Sequence, residues 1–147
     1  MVRHKNRFLV VHVTPDKRGH THALTDRAIH ATLQETIRKV FGEKVVEDAN
    51  SLQVRCTDPA TGVCIVRTPR ACVRQVCGAL AKMTKVGSDR VACRVAHTAG
   101  STRTLRQPAV AVVRTILAAS ALSDSEKGAA DDRFAADLET YFPRAAG

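Results

Sequence analysis

The sequence predicts an α+β domain with elements in the order β-α-β-β-α-β. Three observations carry this: apolar runs of β-preferring residues, two stretches with helical periodicity, and one turn of hairpin chemistry between the middle strands. Phe8 to Val13 is a continuous run of such residues, which suits a central strand covered on one face by helices. A loop with Pro15 and Gly19 leads to Thr25 or Asp26 as N-cap. Ile29, Leu33, Ile37, Val40 and Phe41 then recur at helical spacing until Gly42. Leu52, Val54 and Cys56 alternate with Gln53 and Arg55, and Asp58-Pro59-Ala60-Thr61-Gly62 supplies turn residues before Val63 to Arg67, so these strands form a hairpin. Thr68 and Pro69 read as the N-cap and first residue of a second helix, with Val73, Val76, Cys77, Leu80 and Met83 along one face. Val91, Cys93, Val95 and His97 alternate with small or polar residues until Gly100 and form the last strand. This order is that of a ferredoxin-like split βαβ sandwich, an antiparallel sheet with two helices on one face. A third helix is expected from Gln107 or Pro108 to Leu122, and a short appended one from Asp131 to Phe142.

At 147 residues the chain has the length of one cored domain. Residues 1–122 hold 20 basic and 8 acidic groups, whereas residues 123–147 hold 3 basic and 6 acidic. A basic domain over 1–122 followed by an acidic tail over 123–147 is therefore expected. The overall charge of +9 favours a polyanionic partner, most often nucleic acid. Only five aromatic residues are present, which argues against rows of rings stacking on bases and for contacts to phosphates. The segment from Ala109 to Leu122 contains Arg114 and is too short to cross a bilayer, and the amino end lacks the apolar core of a signal peptide, so an intracellular protein without a membrane span is expected.

Two groups of cations stand out. Arg3, Lys5 and Arg7 alternate along the amino end, and an extended arm would project them from one edge at a spacing of about 6–7 Å, comparable to successive phosphates. A solvated terminus accounts for the same composition. Gly100, Ser101, Thr102, Arg103 and Arg106 fall between the last strand and the third helix, where amides, hydroxyls and two guanidinium groups could meet one anionic segment. Ordinary capping by Ser and Thr is the alternative. Lys17 and Arg18, in the loop after the first strand, are counted with the phosphate contacts. Arg67, Arg70 and Arg74 read as a solvated helix face.

Catalytic signatures are missing from the sequence. Cys56, Cys64, Cys72, Cys77 and Cys93 lack a C-x-x-C pair and lie in apolar segments, so they read as reduced core residues. His20 and His22 have no acid or cysteine at a metal-binding spacing, and Glu47-Asp48 reads as a connection rather than a cation site. Phosphate-binding and serine-hydrolase motifs do not occur. Binding outranks catalysis.

Met1 to Leu9, Thr61-Gly62-Val63 with Arg67, Val76 with Ala79-Leu80, and Val95 through Gly100-Ser101-Thr102-Arg103-Thr104 together resemble the POP-five protein subunits of ribonuclease P and ribonuclease MRP, over roughly residues 1–121. The resemblance implies an RNA-recognition-motif-like protein that is not itself catalytic. It would bind the catalytic RNA of the particle, near precursor tRNA, and support 5′ maturation of precursor tRNA, pre-rRNA cleavage, or both. It also implies that Mg²⁺ is held by the partner RNA and no cofactor by the protein. Other implications are pairing with the thirty-kilodalton TIM-barrel-like subunit and other particle proteins, and residence in the nucleus and nucleolus. Val113, Ile116 and Leu117 on the third helix are the residues first assigned to a protein interface. A stand-alone protein ribonuclease and a ribosome-associated or protein-interaction module are the competing readings.

Overall fold

The computed structural model describes residues 5–16, 24–87 and 89–143. Strand β1 spans Asn6–Pro15, helix α1 Asp26–Phe41, the short helix α2 Glu43–Asp48, β2 Gln53–Arg55 and β3 Val63–Pro69. After a 3-10 turn at Arg70–Cys72 come α3, Val73–Lys82, β4, Lys85–Val86, and β5, Asp89–Ala99; α4, Thr102–Ala118, and α5, Asp124–Tyr141, complete the chain. The strands lie in the order β2-β3-β1-β5-β4, each pair antiparallel. Without the two-residue β4, this is the split βαβ arrangement that the element order implies.

The apolar run in β1 has a fuller explanation than one covered face. Leu9, Val11 and Val13 pack with Ile29, Leu33 and Ile37 of α1 and Val76, Ala79 and Leu80 of α3. Phe8 and Val10, on the other face, pack with Leu105, Ala109 and Val113 of α4 and Phe134 and Leu138 of α5. Every residue from Phe8 to Val11 is buried because the strand is sandwiched, as in a doubly covered sheet.

Three expectations are corrected. Thr68 and Pro69 do not start a helix: Thr68 is fully buried in β3 opposite Arg7, and α3 begins only at Val73. α4 starts at Thr102 rather than at Gln107 or Pro108, because Ser101 and Thr104 form a reciprocal capping box that nucleates the helix earlier. Pro108 then lies inside it, where the amide it lacks would have bonded the Thr104 carbonyl. The last helix is no appendage. It runs from Asp124, and Ala130, Phe134 and Leu138, spaced by four residues, are its buried stripe, followed by Phe142 just past its end. Sequence reading also passes over α2 and β4, which are only six and two residues long.

The hairpin turn is held by one carboxylate. Asp58 Oδ2 accepts hydrogen bonds from the Thr61 amide (3.2 Å) and hydroxyl (2.8 Å), and Oδ1 accepts from Arg133 of α5 (2.7 Å). The acid is almost fully buried, and these donors offset its desolvation. Gly62 closes the turn at φ +77°, and its amide nitrogen donates to Asp58 O (2.7 Å). A side chain is excluded there, since an added Cβ would lie 2.1 Å from the Val13 carbonyl oxygen.

Candidate nucleic-acid interface

At one end of the sheet, β1 begins, β3 and β5 end, and the chain turns into α3 and α4. Antiparallel pairing thus gathers residues that are far apart in sequence. The Lys5 carbonyl accepts the Arg70 amide (2.9 Å), so these two residues are neighbours across the β1/β3 end. On the other side Phe8 pairs with Ala99, which sets Arg7 beside Gly100; the Arg7 guanidinium would lie 3.9 Å from a Cβ at that glycine. Arg7 Nη1 also donates to the Asn6 carbonyl (3.1 Å). Lys5, Arg7 and the glycine-hydroxyl segment lie together at this end.

Ser101 is the N-cap of α4: its hydroxyl accepts the Thr104 amide (3.2 Å), and the Thr104 hydroxyl accepts the Ser101 amide (3.3 Å). Their hydroxyls therefore serve the helix end. The unpaired amides of the first turn and the helix dipole still favour an anion there, and Arg103 is exposed on that turn while Thr102 is half-buried. Arg70 and Arg74 are exposed at the start of the α3 segment. Lys5, Arg7, Arg70, Arg74 and Arg103 are in no ion pair among the described residues. An open groove beside them is lined by Lys5, Asn6, Arg67 and Arg70 together with Glu47 and Asp48. Arg67 Nε is buried there without a hydrogen-bond partner among the described residues.

Two sets of sequence-chosen residues sit elsewhere. Arg106 is turned toward α5, where Nη1 pairs with Glu139 (2.7 Å) and Nη2 donates to the Phe142 carbonyl (3.1 Å). It is committed to the fold. Val113 and Leu117 are buried under α5, and Ile116 packs against the same cluster, so in this arrangement they face the chain's own core rather than a partner. Arg3, Lys17 and Arg18 lie outside the described residues, as do His20 and His22. Arg70 and Arg74, which the sequence reads as part of a solvated helix face, stand at this same end, and Arg70 adjoins Lys5. Had the β-run of Val63–Arg67 been extended through Pro69, its place next to Lys5 would have followed from register alone.

Cys56 and Cys64 are buried and Cys93 is half-buried, and the loss of solvation holds their thiols protonated: Cys56 is pushed up to about 12 and Cys93 to about 11. Burial lowers the His12 pKa, and nearby Arg94 lowers it further. No group of three or more His, Cys, Asp or Glu side chains among the described residues could hold a metal ion, and no described helix is long and apolar enough to cross a membrane.

A family profile described as the Rpp14/Pop5 family matches residues 7–110. Among solved structures, a chain of the cryo-EM structure of yeast ribonuclease MRP superposes with a TM-score of 0.56. The match covers 71% of this chain and 81% of that chain at 10% sequence identity, a likeness of fold. No curated protein matches this sequence.

Proposed function

The chain belongs to the Rpp14/Pop5 family, and from that premise we propose that it is a noncatalytic RNA-binding subunit of a ribonuclease P or MRP ribonucleoprotein. The observation that carries this reading is the convergence of Lys5, Arg7, Arg70, Arg74 and Arg103 at one end of the sheet, in no ion pair among the described residues. Cations so placed neutralise RNA phosphates and release their counterions, while the amides at the start of α4 add fixed partial charge. The protein binds by its end, since α4 and α5 cover the sheet face on which an RNA-recognition motif would stack bases.

In this reading the partner RNA holds the Mg²⁺ that activates water and stabilises the leaving oxygen. The protein screens charge between RNA segments and fixes their approach near precursor tRNA. The particle's products are mature tRNA 5′ ends, cleaved pre-rRNA, or both, and its place is the nucleus and nucleolus. The thirty-kilodalton subunit and other particle proteins are its protein partners. The test is to tag the full chain in its source cells and sequence the RNA that copurifies. Enrichment of ribonuclease P or MRP RNA, together with precursor cleavage lost on removing that RNA, supports the assignment. Cleavage of precursor RNA by the purified protein with Mg²⁺ alone would overturn it, as would enrichment of ribosomal RNA only.

A further inference from the structure

Along part of its outer side, β5 has main chain without a pairing strand among the described residues. β5 bonds to β1 along Val91–Ala99, but β4 covers only Asp89 and Arg90. The Val91 amide still donates outward, to the Thr84 carbonyl (2.9 Å). Beyond it no outward partner exists among the described residues. In an antiparallel strand the outward groups recur at every second residue, so Cys93 and Val95 present the next free amides and carbonyls. The register shift between Val10 and Val11 places a bulge at Ala96 and leaves Val91–Val95 regular.

Edges of this kind are usually blunted by proline, inward charge or a covering segment. Here the protection is slight. Val91–Val95 contains no proline, and Arg94 is its only charge. Cys93 and Val95 share the face covered by α1 and α3, where they are half-buried, whereas Arg94 is exposed on the opposite face. Lys85 and Arg90 are exposed at the end where β4 stops. None of the three cations is in an ion pair among the described residues. An incoming strand therefore meets apolar surface on one of its faces and positive charge on the other.

We propose that the β5 edge takes an extended segment of a protein partner as an added antiparallel strand, with apolar residues opposite Cys93 and Val95 and an acidic residue opposite Arg94. Main-chain hydrogen bonds supply the affinity and the alternating side chains the selectivity. The inference is independent of the RNA reading, because neither the edge nor Arg94 belongs to the end proposed to grip phosphates.

The test uses the full chain and a labelled nine-residue peptide with blocked ends and alternating valine and glutamate. Saturable binding by fluorescence anisotropy, with slowed hydrogen exchange at the Cys93 and Val95 amides, is the expected result. The same peptide N-methylated at alternate residues, which cannot complete the ladder, should not bind. Arg94→Glu should weaken the acidic peptide about tenfold and favour a version with lysine in place of glutamate. Since the N-methyl comparison leaves the protein untouched, it decides even where a variant is unstable. Equal binding of both peptides overturns the proposal, as does unchanged exchange at the two amides. Protection of those amides by self-association without peptide, or by an RNA oligonucleotide, would assign the edge to another occupant and overturn it as well.

Discussion

Arg103 and Arg106 lie three residues apart on α4 and are chemically identical, yet their surroundings differ: Arg103 is exposed and in no ion pair among the described residues, whereas Arg106 is bonded to Glu139 and the Phe142 carbonyl. If Lys5, Arg7, Arg70, Arg74 and Arg103 each neutralise one phosphate, together they contribute about 4.5 to the slope of log K against log salt, at about 0.9 per contact. Between 50 and 200 mM salt their share alone weakens binding about 500-fold, and without Arg103 about 150-fold. Arg103→Ala should therefore lower the slope by about 0.9 and leave stability near that of the wild type. Arg106→Ala should leave the slope unchanged and instead destabilise the fold by about 1–2 kcal/mol, because Glu139 and the Phe142 carbonyl lose their donor. Filter binding to the copurified RNA across a salt series, paired with urea denaturation, reads both quantities. An equal fall in slope for the two variants, or no change for Arg103→Ala, would refute the division of labour.

Three further outcomes follow from the packing. Phe134→Ala removes a ring that is 1% exposed between α5 and the sheet, and should cost about 3–5 kcal/mol in urea unfolding; a cost under about 1 kcal/mol would mean α5 is not part of the core. Gly62→Ala places a Cβ on the Val13 carbonyl at a φ of +77°, and should lower stability by at least about 2 kcal/mol, with the loss visible as a reduced midpoint of thermal unfolding. At pH 8, Cys56, Cys64 and Cys93 should resist a thiol-disulfide reagent in the folded protein and react on unfolding in urea, since burial raises their pKa; rapid labelling of the native chain at Cys56 would contradict the burial described.

Much of the architecture was legible because local signals agreed with the tertiary result. Thr25 accepts the Ala28 amide (3.1 Å) and caps α1, and Gly42 ends it at φ +97°, as their residue types imply. The turn from Asp58 to Gly62 likewise announces its hairpin. Proline misled twice for one reason: its rigid φ suits a first helical turn, but equally a strand end or a position inside a helix where one bond is forgone. Pro69 takes the second option and Pro108 the third. At the candidate interface, the alternating cations gave Lys5 and Arg7, but only pairing could show Arg70 next to Lys5. The fate of Arg106 depended on α5, read from sequence as an appended helix in an acidic tail, whereas its Asp131 and Glu139 engage arginines of α4.

The partners of Asp58 come from distant parts of the chain. A chain made from its amino end completes the hairpin well before the helix that carries Arg133 emerges, and until then the carboxylate has only Thr61 to answer it. Phe8, Val10, Val63 and Ile65 remain wet over the same interval, since the cover they need is made last. The nascent sheet thus passes through a window in which this greasy surface is exposed, and docking of the last helix covers it and brings Arg133 to Asp58 as that acid is buried. Synthesis stalled before that helix would yield a product prone to clump, whatever the quality of its other half.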